Sequence, residues 1–222
     1  MDPELLFYII VALVVFDFLA GRLLSYLNIA RWSDTLPEEV EGIYDEKEYR
    51  RSQKYLRTNT RFSMLTSSFS FLLIMVMLFA QGFAWLDDLV RSYTGNPVLM
   101  ALAYFGILGL ASDLIFTPFS VYDTFVIEEK FGFNKTSVKT FVLDKLKGWL
   151  LSAVIGGGLL AIIVWIYTIT GQWFWLVVWG VVTLFMIFMS MFYSNLIVPL
   201  FNKQTALEEG ELRDAIHQFA EK

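Results

Sequence analysis

Five long apolar runs constrain the fold of this chain more than any other feature of its sequence. A helix needs about 20 residues to cross a hydrocarbon core of about 30 Å. Five runs reach that length: Leu5 to about Leu24, Phe62–Leu86, Val98–Phe119, Trp149–Ile169 and Trp173–Val198. Only helices and closed barrels satisfy their backbone in lipid, and these runs lack the period of two that membrane strands show. The sequence therefore predicts an all-α membrane protein with five transmembrane helices.

Composition and charge exclude several classes of protein. The chain is 56% hydrophobic, which is too apolar for a soluble globular domain. A net charge of -5 argues against nucleic-acid binding, which needs a basic face. The absence of cysteine excludes disulfides, thiolate metal ligands and a cysteine nucleophile. The first apolar run follows Met1-Asp2-Pro3-Glu4, which is acidic where a signal peptide is basic, so we interpret it as a retained span.

The distribution of Lys and Arg predicts the orientation in the membrane. Sixteen of the 17 basic residues fall in loop one (21–61), in loop three between the third and fourth runs, or in the C-terminal tail. Arg91, in loop two, is the exception. Because basic loops stay in the cytoplasm, we expect the N-terminus outside and loops one and three and the C-terminus in the cytoplasm.

Loop one is predicted to form cytoplasmic amphipathic helix. The segment Thr35–Glu38 has the form of a capping box, and a second helix is expected to begin at Asp45. Glu46 and Arg50 are spaced to pair across one turn of that helix. A solvated helix leading into the second span is the simplest interpretation of this loop.

Loop three predicts two further helices. Pro118 is expected to end the third span, Asp123 to N-cap a short helix up to Phe131, and Gly132 to stop it. Thr136 or Ser137 then caps a helix with an apolar side suited to the membrane surface. That side consists of Val138, Phe141, Val142 and Leu146.

Polar residues within the spans are candidates for a cavity lining, because burial in lipid makes them costly. With the orientation above, all five spans place their polar residues in the cytoplasmic half, which predicts a polar cavity open to the cytoplasm. Asp17, Asp113 and Asn195 are the candidate cavity-lining residues. The two aspartates either bond to neighbouring helices or line this cavity. For small residues such as Ser152 and Gly156, close helix packing is an equally simple explanation.

Two blocks of the sequence resemble a known family. Residues 124–135, TFVIEEKFGFNK, resemble the signature loop in the membrane half of type I CAAX prenyl endopeptidases, which are HExxH zinc metalloproteases. Residues 199–203 and 207–213 resemble the segment that leads from this half into the catalytic domain. Leu36, Pro37, Tyr49, Ser52 and Tyr55 carry a weaker likeness. The resemblance implies a five-span membrane domain over 1–204, and at 205–222 the start of a helix leading to an absent catalytic domain.

The zinc chemistry of that family is not expected within these 222 residues. An HExxH site needs two histidines four residues apart, and this chain has the single histidine His217. We therefore predict no catalytic, cofactor-binding or metal-binding residue here; zinc is expected in the full-length parent, and this chain alone should be inactive. The capping box Thr205–Glu208 opens a helix still running at Lys222, which favours a truncated chain.

The leading hypothesis is the N-terminal half of a CAAX-type zinc endopeptidase that houses substrate and docks its own C-terminal catalytic domain. The substrate would be a peptide or protein with a CAAX-like C-terminus or a membrane segment, and in a bacterium membrane-protein quality control is the expected role. The candidate docking residues are Glu128, Glu129, Asn134, Lys135, Asn202 and Lys203. The paired glutamates could instead form a solvated helix face. The alternative hypothesis is a stand-alone five-span transporter or scaffold; a channel is disfavoured because no span is polar along its whole length.

Overall fold

The computed structural model describes residues 2–30, 32–33, 35–36, 42, 45–205, 207 and 209–220. Within these residues the regular secondary structure is helical, as predicted. The chain forms two compact units, 1–141 and 142–222, and each is described by itself.

The first two helices of unit 1 pack side by side in opposite directions. Helix α1 is Pro3–Ala30 and helix α2 is Glu46–Phe79. Near the start of α1, Phe7 contacts Phe79 with 5.6 Å between ring centroids, and further along Phe18 stacks on Phe71 at 4.1 Å. The later residue of α1, Phe18, contacts the earlier residue of α2, Phe71, so the two helices run antiparallel.

Helix α2 starts where the sequence predicts, with Asp45 as its N-cap. Asp45 Oδ1 accepts hydrogen bonds from the backbone N–H groups of Lys47 at 2.7 Å and Glu48 at 3.2 Å. One turn in, Arg50 Nη2 donates to Glu46 Oε1 at 2.6 Å, the predicted pair. The capping box proposed at Thr35–Glu38 includes residues outside the described part of the chain.

The second span ends earlier than predicted. Helix α2 stops at Phe79, Gln81 adopts a left-handed conformation with φ 55°, and a separate helix α3 (Gly82–Tyr93) follows. Gly82 lies at this break, and a Cβ there would lie 2.6 Å from Met77 Sδ, so the flexible Met77 side chain would have to move to admit one. Hydropathy alone does not reveal the break, since Leu86 is apolar and is buried in α3.

In α3, Asp87 accepts a 2.6 Å hydrogen bond from Arg91 Nε and thereby raises the pKa of that guanidinium.

The third span does not end at Pro118, which corrects two predictions. Helix α4 (Pro97–Tyr122) begins at the N-cap Asn96 and continues through Pro118. It passes into a π-helical segment, Asp123–Glu128, and then α5 (Glu129–Phe131). Proline is tolerated inside membrane helices because neighbouring groups compensate for the lost backbone bond. Asp123 is therefore helical and its own N–H bonds back into α4, so it is not an N-cap.

The predicted stop at Gly132 is confirmed. Gly132 has φ 79°, the left-handed conformation that glycine adopts readily at helix C-termini.

Helix α4 contacts α2 through aromatic rings, with 5.8 Å between Phe69 and Phe116 and 6.3 Å between Phe62 and Phe119. Helix α2 thus lies between α1 and α4.

The second half of loop three differs from a separate surface helix. Ser137 Oγ accepts from the Thr140 N–H at 3.1 Å, which confirms the predicted cap, and α6 (Val138–Leu151) follows. Helix α6 continues through a π-helical segment, Ser152–Gly156, directly into α7 (Gly157–Thr170). The predicted amphipathic helix is therefore the first part of one long helix, and its position at the membrane surface stays a prediction.

Unit 2 contains the last predicted spans. After the turn Gly171–Trp173 the chain forms α8 (Phe174–Leu196), then the short α9 (Val198–Phe201). Helices α7 and α8 contact each other through Tyr167 and Phe174 at 5.1 Å. The final helix α10 is Glu211–Ala220, so it begins after Gly210 and not at Thr205 as predicted. Glycine, which has low helix propensity, delays its start.

Four segments of the described chain are long and apolar enough to cross a membrane. They are Pro3–Ala30, Glu46–Phe79, Pro97–Phe131 and Val138–Phe201. The last is 64 residues long and contains both α7 and α8, which pack against each other. Counting these two helices separately accounts for the five predicted spans.

Candidate functional site

The segment 123–136, called the signature segment below, is folded against the N-terminal part of α2. Ile127 is 2% exposed and Phe131 is 6% exposed, among the most buried hydrophobic residues of the described chain. Helices α1, α2 and α4 contain no buried residue within their described lengths. The buried residues of unit 1 therefore lie in the signature segment and in α3, and not in the long helices.

Tyr55 joins the signature segment to α2. Its hydroxyl donates to Glu128 Oε1 at 2.5 Å, and Asn59 Nδ2 reaches the same hydroxyl at 3.5 Å. The Tyr55 ring lies edge-on to Phe131 at 5.3 Å and to Phe133 at 4.9 Å. A hydrogen bond to a carboxylate is stronger than one between neutral groups, so this contact holds Glu128 in place. On the same π-helical segment, Asp123 Oδ1 is buried with no hydrogen-bond partner in the described chain.

Arg51 forms a second link, one turn before Tyr55. Its Nη2 donates to the backbone carbonyl of Phe131, at the point where the helix ends. A Cβ at Gly132 would lie 3.1 Å from the same nitrogen, so glycine allows the guanidinium to approach. The carbonyl of Glu128 then accepts from the N–H groups of Phe133 at 2.9 Å and Asn134 at 3.3 Å, which closes the turn.

Three of the predicted docking residues shape this turn. Glu128 binds Tyr55, and Glu129 Oε2 accepts from Asn134 Nδ2 at 2.8 Å. Asn134 Oδ1 also accepts from the Thr136 N–H at 2.7 Å. Lys135, in contrast, is exposed and forms no hydrogen bond or ion pair within the described residues. Glu128 is therefore bonded to α2 and Glu129 is bonded within the segment, so the pair does not form a simple solvated face.

The remaining docking candidates belong to unit 2. Asn202 follows α9 in an extended conformation and its N–H donates to the Val198 carbonyl at 2.9 Å. Lys203 is exposed. Their role in docking stays a prediction.

A polar cavity of about 380 Å³ lies between α1 and α2. Asp17, one of the predicted cavity residues, lines it, although its side chain is exposed in the described structure. Arg22 lines it as well: its Nη2 donates to the Met64 carbonyl at 2.9 Å and to Ser68 Oγ, and its guanidinium lies over the Phe18 ring. The full lining is Val14, Asp17, Phe18, Gly21, Arg22, Ser25, Thr60, Ser63, Met64, Ser67, Ser70, Phe71 and Ile74.

The other two candidates do not line this cavity. Asp113 is half-buried in α4, where its backbone carbonyl accepts a 2.6 Å hydrogen bond from Thr117 Oγ1. Asn195 is exposed near the end of α8, in unit 2. A shared cavity for all three residues therefore stays a prediction.

The described residues do not fit a zinc site. No group of three or more His, Cys, Asp and Glu side chains comes together within them. A catalytic zinc takes three protein ligands, so the described residues by themselves do not supply such a site.

Comparison with known proteins decides the family. A family described as CAAX prenyl protease N-terminal, five membrane helices, matches residues 25–203. The chain belongs to this CAAX prenyl protease family. It matches the membrane-embedded N-terminal half, which confirms the resemblance carried by residues 124–135. The family description also agrees with five membrane helices, and so with an integral, multi-pass membrane protein.

Relatives of the CAAX prenyl protease family extend well beyond the matched region. The chain is 35% identical to a probable CAAX prenyl protease 1 of Schizosaccharomyces pombe, over 91% of this chain and 45% of the relative. It is 28% identical to CAAX prenyl protease 1 of Saccharomyces cerevisiae, over 90% and 46%. The crystal structure of S. mikatae Ste24p is similar with a TM-score of 0.89 and 28% identity, covering all of this chain and 53% of that one. The chain thus spans about half the length of the relatives it matches.

Sequence reasoning missed two arginines of this CAAX prenyl protease chain. Arg22 and Arg51 were counted as loop charges, yet each binds a backbone carbonyl in another element. The sequence did indicate a role for Arg22, because it lies five residues after Asp17 near the end of a long apolar run, where a charged residue needs a partner. Arg51 gave no such signal.

Proposed function

We propose that this chain is the membrane-embedded N-terminal half of a zinc metalloendopeptidase of the CAAX type. It houses substrate in a polar cavity and docks the catalytic domain through the signature segment and residues 202–203. The observation that carries the proposal is the match of residues 25–203 to a family whose relatives, named as CAAX prenyl proteases, are about twice as long. The zinc ligands come from the other half of the protease in this proposal.

The packing of the signature segment supports a docking role. Tyr55 and Arg51 hold the segment rigidly against α2, with Glu128 and the Phe131 carbonyl as their acceptors. Rigid elements position a partner more accurately than mobile loops do. Of the candidate docking residues, Lys135 and Lys203 are charged, exposed and without a hydrogen bond or ion pair within the described residues. The basic loops favour a cytoplasmic location for this docking surface.

The substrate we propose is a peptide or protein with a CAAX-like C-terminus, or a membrane protein segment. The polar lining between α1 and α2 supports a compartment for the hydrophilic part of such a chain. The lipid bilayer surrounds the apolar faces of the helices.

The decisive experiment is to express the complete reading frame and measure peptide hydrolysis with and without a zinc chelator. We expect activity that chelation abolishes and added zinc restores. Hydrolysis that survives chelation would contradict the zinc mechanism.

The docking role has its own test in the same protein. Lys135→Glu should reduce hydrolysis at least several-fold by reversing a charge at the docking surface, while the exposed Lys47→Glu in the same cytoplasmic region serves as the matched control. Equal activity of both variants would contradict docking through Lys135.

A further inference from the structure

The polar cavity between α1 and α2 lies on the side of α2 opposite to its exposed apolar residues. Ser68 and Phe71 contact α1, and Phe62 and Phe69 contact α4, so two sides of α2 are occupied. By helical periodicity, the two remaining sides differ sharply. One carries Ser63, Ser67 and Ser70, which line the cavity. The other carries Leu65, Leu72 and Val76, which are 57%, 60% and 61% exposed. The apolar side suits lipid, and the cavity therefore opens on the opposite side.

Arg22 gives this cavity a fixed positive charge with unused donors. Its Nη2 makes the hydrogen bonds to the Met64 carbonyl and the Ser67 and Ser68 hydroxyls. Its Nε and Nη1 have no hydrogen-bond partner within the described residues. A guanidinium anchored on one edge presents its other edge to an anion, and a carboxylate matches that geometry.

Asp17 provides an unpaired acceptor in the same cavity, within the described residues. It forms no ion pair with Arg22 and has no hydrogen-bond partner within the described chain. Five residues separate the two on α1, about 7.5 Å along the helix axis at 1.5 Å per residue. That distance is close to the length of two residues of extended peptide, which is about 6.8 Å.

The lining changes from polar to apolar along the helix pair. Because α1 and α2 are antiparallel, Arg22, Ser25, Thr60 and Ser63 lie toward one end of the cavity. Val14, Phe71 and Ile74 lie toward the other. A ligand that fits has an anionic end, a hydrogen-bond donor further in and apolar groups beyond it.

We propose that this cavity is a subsite for the free C-terminus of a peptide with apolar side chains. Arg22 binds the terminal carboxylate, with the hydroxyls of Ser25 and Ser63 at the same end. Asp17 accepts from a peptide N–H about two residues upstream, and Val14 and Ile74 contact the apolar side chains. This inference rests on the proposed function, since it names the part of the substrate that the cavity holds.

The test compares two forms of one fluorescent peptide, with a free C-terminal carboxylate or with a C-terminal amide. The protein from the complete reading frame is placed in nanodiscs of zwitterionic phospholipid, with zinc chelated so that the peptide is not cleaved. We expect the carboxylate form to bind about tenfold more tightly, as a charge-assisted hydrogen bond implies. Arg22→Gln should abolish this preference and leave the affinity for the amide unchanged, whereas Arg22→Lys should keep part of it.

Asp17→Asn provides a second variant that leaves every hydrogen bond of Arg22 intact. It should weaken binding of both peptides by the same factor, because both carry the upstream N–H. The proposal is overturned if the wild-type protein does not distinguish the two peptides, or if Arg22→Gln weakens both equally. It is also overturned if acidic phospholipid in the nanodisc displaces the carboxylate peptide, because the cavity would then be a lipid headgroup site.

The result is separable from the proposed function. Restoring zinc and finding no hydrolysis would defeat the protease proposal while a carboxylate preference that depends on Arg22 would stand. Hydrolysis without that preference would defeat the subsite alone.

Discussion

At the scale of single residues, Tyr55 is the side chain on which the position of the signature segment most depends. Its hydroxyl donates to Glu128, and its ring contacts both Phe131 and Phe133. Replacing the hydroxyl leaves the ring contacts in place. It removes the donor from a half-buried carboxylate, which is costlier than losing a solvated hydrogen bond.

We predict that Tyr55→Phe destabilises the protein by about 1–2 kcal/mol, the cost of an unmet hydrogen bond to a charged group. Unfolding of the purified protein in detergent measures the change. Tyr49→Phe is the matched control, because Tyr49 lies on the same helix and makes no side-chain hydrogen bond within the described chain. Equal stability of the two variants would show that Glu128 does not need this donor.

Gly132 is the second residue with a specific conformational role. A left-handed conformation costs a residue with a Cβ about 1–2 kcal/mol, and Arg51 adds crowding at 3.1 Å. We predict that Gly132→Ala is destabilising by at least this amount in the same assay. Gly42→Ala is the control, since Gly42 has a similar φ of 81° but no atom within 4 Å of where a Cβ would lie. A smaller loss at Gly132 than at Gly42 would argue against the crowding.

At the scale of elements, the N-terminal part of α2 depends on how its first turn is capped. Asp45 satisfies two backbone donors there, and Arg51 and Tyr55 lie within the next three turns. Fraying of this end would loosen the contacts to the signature segment. The capping residue therefore contributes to the site although it does not touch it.

We predict that Asp45→Ala costs about 1 kcal/mol, the usual loss for an N-cap acceptor. Hydrogen exchange of the α2 amides should rise from residue 47 toward residue 55. Asp45→Asn should behave like the wild type, because the amide oxygen accepts the same bonds. Faster exchange in the Asn variant as well would point to charge, through the helix dipole, and not to capping.

At the scale of the whole molecule, the orientation in the membrane is the property that governs where docking can occur. The sequence contains no cysteine, so single cysteines can be introduced without a background signal. Lys135 and Ser92 are both exposed and fall in loops predicted to lie on opposite sides.

We predict that Lys135→Cys reacts with a membrane-impermeant maleimide from the cytoplasmic side, and Ser92→Cys from the other side. Labelling of sealed vesicles of known orientation, before and after permeabilisation, measures this. The unmodified cysteine-free protein is the control. Reaction of both positions from one side would overturn the predicted topology.

The sequence by itself determined the helical membrane class, the family and several local signals. Apolar length, basic loops and the block 124–135 suffice for these, because they depend on composition and on neighbours in the chain. The caps at Asp45 and Ser137 and the stop at Gly132 were also predictable, since a cap involves residues two to five apart.

The tertiary structure decided what each charge binds. Arg22 meets Met64 across 42 residues, Tyr55 meets Glu128 across 73, and Arg51 meets Phe131 across 80. It also decided that α4 continues past Pro118 and that α2 ends before Gln81, which adopts a left-handed conformation. Such partners are chosen by the arrangement of whole helices, which no short stretch of sequence encodes.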